Sequence, residues 1–88
     1  MDVHARVGLN VQRLRRERRF SQEELAFHSG LTRGYLSAIE AGQRNATLRI
    51  LDKLTQALGV DISELFVRPP GDFPIEVPKS KKINNSAP

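Results

Sequence analysis

The chain has 88 residues, room for one domain, and no cysteine, which excludes a disulfide framework or a thiolate metal site. Its 14 Lys and Arg against 10 Asp and Glu give a net charge of +4, which favours polyanions without proving a nucleic-acid partner. Nowhere do about 18 apolar residues follow one another, as a membrane span requires, and Met1 to Val7 carry Asp2, His4 and Arg6, so a soluble, reduced, cytoplasmic protein is expected.

Val3, Val7, Val11 and Leu14 recur at steps of four, four and three, which puts one apolar stripe on a first helix ending near Arg18. Arg13, Arg15, Arg16, Arg18 and Arg19 crowd the end of that helix, where they complement the negative end of its dipole and otherwise read as a solvated face. Ser21 followed by Glu24 is a capping box, so a short second helix begins after Ser21 with Leu25 and Ala26 pointing inward. Gly30 supplies the left-handed conformation that ends it and turns the chain sharply. Thr32 caps a third helix, with Leu36 and Ile39 on one face and Gly42 at its end. Thr47 caps a fourth, whose stripe is Leu48, Leu51, Leu54 and Leu58, with Gly59 just past its end. Asp61 and Glu64 form a second capping box for a short fifth helix carrying Ile62, Leu65 and Phe66.

After Val67 the texture changes. Pro69, Pro70, Gly71, Pro74 and Pro78 break any helix, and Lys79 to Pro88 is polar and without periodicity. Phe73 to Val77 alternates apolar and polar residues and can lie as an edge strand on a partner, although the prolines on both sides count against it. Arg68, Lys79, Lys81 and Lys82 outnumber Asp72 and Glu76 there, which leaves the remainder only mildly basic. The expected organisation is all-α: a compact five-helix domain over residues 1–67 and a flexible, proline-containing tail over 68–88.

A short helix, a glycine turn and a second short helix fit the geometry in which one helix enters a major groove while the other bridges the backbone, although such pairs also occur in plain bundles. The outward face of the third helix favours the first reading. Arg33, Gly34, Ser37 and Ala38 are free of large apolar side chains, while Leu36 and Ile39 hold the opposite side down.

From Val7 to Phe66, about two-thirds of its length, the chain resembles the phage-repressor and Cro-like, or XRE, helix-turn-helix family. The resemblance is carried by Ser21-Gln22-Glu23-Glu24-Leu25-Ala26, Gly30-Leu31-Thr32, Leu36-Ser37, Ile39-Glu40 and Gly42, with Leu58-Gly59-Val60 and Leu65-Phe66 similar to the closing helices. Leu31 to Asn45 with Thr47 looks most like the restriction-modification controller-like branch. It implies a lambda-repressor-like fold with its helix-turn-helix in helices 2 and 3, and a regulator that needs no cofactor.

The resemblance also implies roles. Gln22 stands where the family grips a phosphate, and Thr32, Arg44, Asn45 and Thr47 lie where it contacts phosphates flanking the bases; each has an ordinary solvated residue as its alternative. Arg33 is the base-reading candidate, because a guanidinium can bond guanine O6 and N7 together, against a phosphate contact as its alternative. Gly34 either lets the backbone approach a base edge or is merely tolerated in the first turn. Tyr35 either meets the duplex or packs on the first helix, and the short Ser37 and Ala38 admit the groove floor. Arg15 and Glu40 occupy the positions of a buried ion pair joining helices 1 and 3 in several family members. Pairing through the last helix would use Ile62, Leu65, Phe66 and Val67.

His4 and His28 lack the companions of a metal ligand or general base, and no glycine-rich phosphate loop or nucleophile-base set suggests catalysis. The leading expectation is a homodimeric transcriptional regulator, in this family most often a repressor, that binds double-stranded DNA at a near-palindromic operator. An antitoxin or adaptor of the same fold, holding a protein partner through the tail, is the alternative. RNA binding is disfavoured by the lack of exposed aromatics that single-stranded bases stack on.

Overall fold

The structure, a computed structural model, describes residues 2–70. The edge-strand reading of residues 73–77 and a partner contact through the chain beyond Pro70 lie outside the described residues. Four α-helices follow one another, α1 (Val3–Glu17), α2 (Gln22–Ser29), α3 (Arg33–Glu40) and α4 (Leu48–Leu58), and then a single 3₁₀ turn (Ile62–Leu65).

Local chemistry sets these limits. Asp2 caps α1 through Ala5 N–H at 2.8 Å. At Ser21 the box closes in both directions: its hydroxyl accepts from Glu24 N–H at 3.0 Å and the Glu24 carboxylate from Ser21 N–H at 2.8 Å. Thr32 and Thr47 cap α3 and α4 by accepting from Tyr35 and Ile50 N–H. Gly30 takes φ +72°, a conformation costly for any residue with a Cβ, and so reverses the chain between α2 and α3. Arg19 holds a left-handed φ of 59° where α1 ends, a position more often taken by glycine.

The core is one apolar cluster. Val11, Leu25, Leu36, Leu54, Leu58 and Leu65 are fully covered, with Val7, Leu14, Ala26, Ile39 and Leu51 close to it; each fully buried Leu or Val contributes roughly 1.5 to 3 kcal/mol. Packing runs α1 on α3, α2 on both α3 and α4, and the 3₁₀ turn on α1 and α4. Asn10, fully buried in α1, fastens that turn: its amide donates to Leu65 O at 2.9 Å and Val67 O at 2.8 Å. Pro69 is buried as well.

Four expectations are corrected. The fifth helix is only one 3₁₀ turn, because the chain has four residues between Asp61 and Phe66 in which to reverse onto α1. Its capping box does not form: Asp61 accepts from Ser63 N–H at 2.9 Å, and the Ser63 donors hold its carboxyl below the usual value. Val3 and Leu48, assigned to buried stripes, are 53% and 71% exposed, because each is the first residue of its helix and stands beyond the edge of the elements that cover the rest. The arginine run is not a uniform solvated face. Arg13 bonds Asn10 Oδ1, Arg15 pairs with Glu40, and the exposed Arg18 donates to Gly59 O, which leaves Arg16 and Arg19 exposed and without a side-chain partner among the described residues.

Candidate nucleic-acid interface

α3 is held from behind and open in front. Leu36, Ile39 and Glu40 are buried, while Arg33, Gly34 and Ser37 are exposed and Ala38 is half-exposed. Among the described residues Arg33 has no hydrogen-bond or ion-pair partner, although it lines an open cleft with Arg15, Ser21, Gln22 and Glu23. A Cβ built on Gly34 would meet nothing within 4 Å, so no packing among the described residues accounts for the glycine.

The polar residues that flank this face keep donors available. The Thr32 and Thr47 hydroxyls spend acceptor capacity on their caps, which leaves each O–H free to donate outward. Asn45 Oδ1 faces His4 Nε2 at 3.1 Å, an arrangement that leaves the Asn45 NH₂ for another acceptor. Arg44 lies over the Tyr35 ring, 4.6 Å from its centroid, and remains exposed. Tyr35 itself is half-buried and packs against the core, so it stiffens Arg44 through a cation–π contact as well as bordering the α3 face.

Behind these residues is a charged cluster. Arg15 donates from Nε to Glu40 Oε2 at 2.7 Å and from Nη2 to Glu40 Oε1 at 3.1 Å, a two-pronged pair with side chains 12% and 4% exposed. Arg15 Nη1 also donates to Phe20 O at 2.9 Å, and Gln12 Nε2 to Glu40 O at 2.9 Å. Gln22 Nε2 donates to Glu40 Oε1 at 3.0 Å, so Gln22 belongs to this cluster rather than standing free in solvent.

The proposed pairing residues separate. Leu65 is fully buried in the chain's own core and offers no surface, a correction that follows from Asn10 holding the 3₁₀ turn against α1. Ile62 is half-buried, while Phe66 and Val67 are 39% and 37% exposed. Phe66 joins Val3, Val7, Leu48 and Leu51 around an apolar cleft of about 160 Å³ whose polar rim includes His4, Arg44 and Asn45. Sequence reasoning missed this composite surface, since its residues come from three separated segments.

A protein-family model described as helix-turn-helix matches residues 11–65. The chain belongs to the helix-turn-helix family. It is 47% identical over 74 residues to an uncharacterized helix-turn-helix-type transcriptional regulator, y4dJ, of Sinorhizobium fredii, covering 84% of this chain and 95% of that protein. The control protein C.MunI of a Mycoplasma species is 42% identical over 66 residues, covering 74% of this chain and 89% of that protein. The crystal structure of the restriction-modification controller protein C.AhdI from Aeromonas hydrophila superposes with a TM-score of 0.70 at 43% identity, covering 72% of this chain and 96% of that one. The chain is therefore a DNA-binding transcriptional regulator of this family, not an enzyme, and its relatives include the controller-like branch that its sequence resembles. Among the described residues, no helix is long and apolar enough to cross a membrane.

Proposed function

We propose that this helix-turn-helix regulator acts as a homodimer on a near-palindromic operator, laying α3 of each copy in a major groove. The observation that carries the reading is the α3 face: Arg33 projects without a partner among the described residues, beside the exposed Gly34 and Ser37, on a helix anchored by Leu36 and Ile39. Arg33 reads a base, with Gly34, Tyr35, Ser37 and Ala38 shaping the approach. Gln22, Thr32, Arg44, Asn45 and Thr47 grip phosphates through the donors left free by their internal bonds, which positions the helix without choosing a sequence.

Dimerisation rests on two arguments. One copy of an eight-residue helix reaches only a few base pairs, so a second copy one helical turn away, about 34 Å, supplies affinity and symmetry. The cleft bordered by Val3, Leu48 and Phe66 also exposes apolar side chains that a second copy can cover, and the exposed Val67 and half-buried Ile62 would add to the pairing.

Selection of bound duplexes from a random pool tests the reading. It should return a consensus of two inverted half-sites with centres about 10 base pairs apart, or a multiple of that spacing. A consensus without symmetry, together with a monomer in sedimentation both free and bound, contradicts the dimer. Failure to enrich any duplex contradicts the function.

A further inference from the structure

The bond between Gln22 and Glu40 decides which end of an amide faces the carboxylate and how many donors it has left. A carboxylate can only accept hydrogen bonds, so the Gln22 side chain must turn its NH₂ toward Glu40 Oε1, as the 3.0 Å contact has it. An NH₂ carries two donors, and Glu40 engages one. The other belongs to a half-exposed side chain lining the open cleft shared with Arg15, Ser21, Glu23 and Arg33. A phosphate oxygen also only accepts. It therefore bonds an NH₂ and is repelled by an amide oxygen, so the orientation of Gln22 sets the sign of the contact.

We propose that Glu40 is a positioning residue for DNA binding, which takes one N–H of the Gln22 amide and so keeps the NH₂, with its second N–H, rather than the C=O on the side where backbone phosphate can be met. The proposal rests on the phosphate-gripping reading of Gln22. Glu40 can hold this orientation because it is itself fixed: 4% exposed, clamped by two Arg15 nitrogens, and carried on the last turn of α3. The same carboxylate thus ties the first residue of α2 to α3 and to α1, so the phosphate anchor and the reading helix share one reference point.

A double-mutant cycle tests this, using the full chain and a mixed-sequence duplex two helical turns long, at a temperature where circular dichroism shows the helices intact. Gln22→Ala and Glu40→Gln should each weaken binding about tenfold, and the double variant should be no weaker than Gln22→Ala alone. Simple charge predicts the opposite for Glu40→Gln, since removing an anion near DNA favours binding. Unchanged or tighter binding by Glu40→Gln, or losses that multiply in the double variant, overturn the positioning role while leaving the DNA contact at Gln22 standing. No binding of any duplex by the unaltered chain overturns both.

If Glu40→Gln does not fold, NMR of the unaltered protein supplies the readout. One Gln22 side-chain amide proton should exchange slowly with water, and its partner should shift when the duplex is added. A freely exchanging pair that ignores the duplex overturns the proposal.

Discussion

Arg15→Ala should cost about 3 to 5 kcal/mol of stability, enough to lower the thermal midpoint by more than about 10 °C in a domain of this size. The cost comes from what is left behind rather than from the lost attraction. Glu40 is 4% exposed and, among the described residues, would be left with Gln22 Nε2 alone on its carboxylate, while Phe20 O would lose the Nη1 donor that now satisfies it. Replacing both ends by apolar residues, as in Arg15→Met with Glu40→Met, should recover much of the loss, because no uncompensated ion then remains. Differential scanning calorimetry of the three proteins checks this. A midpoint for Arg15→Ala equal to that of the unaltered chain would show that water or another cation replaces the guanidinium.

Gly8→Ala should destabilise the domain by about 2 kcal/mol, against the sign that helix propensity gives. In an exposed helix interior, exchanging glycine for alanine gains about 1 kcal/mol. At Gly8 the new Cβ would lie 2.5 Å from Ile39 O and 2.6 Å from Glu40 O, both main-chain atoms at the end of α3 that cannot rotate away. Overpacking of this kind costs typically 1 to 3 kcal/mol or more, and relief here means pushing α1 off α3. Urea unfolding decides between the two effects. A variant more stable than the parent would mean that α1 and α3 cross less closely than 2.5 Å implies.

These two positions show where the sequence could be read and where it could not. The caps at Ser21, Thr32 and Thr47 and the reversal at Gly30 are local chemistry within four residues, so the limits of α2, α3 and the start of α4 follow from the string itself. Val3 and Leu48 obey the same helical period as their buried neighbours, and only the three-dimensional edge of the core exposes them. Asp61 looks like a capping box with Glu64 until the chain is seen to tighten into a 3₁₀ turn, which brings Ser63 N–H to the carboxylate first. Gly8 carries no signal of its own, because close approach of α1 to α3 is a contact across more than 30 residues.

The candidate site divides in the same way. Arg33, Gly34 and Ser37 can be placed on an open face from spacing alone, since Leu36 and Ile39 fix the opposite side. The partners behind that face are non-local: Gln22 with Glu40, Asn45 with His4, and Arg44 with Tyr35. A glutamine that follows a helix cap reads as a phosphate contact or, alternatively, a solvated residue, and nothing in its spacing shows the carboxylate 18 positions later that is brought against it. Leu65 reads as a pairing residue until Asn10, 55 positions earlier, is found holding its carbonyl against α1.

The central claim, that the exposed face of α3 reads base edges, is tested most directly by binding isotherms of Arg33→Ala on the selected consensus duplex and on its single-base-pair substitutions. The account predicts a loss of about 1 to 3 kcal/mol on the consensus, with discrimination abolished at one base pair per half-site and retained elsewhere. An equal loss on every duplex, with a salt slope lowered by about one, would make Arg33 a phosphate contact and contradict it.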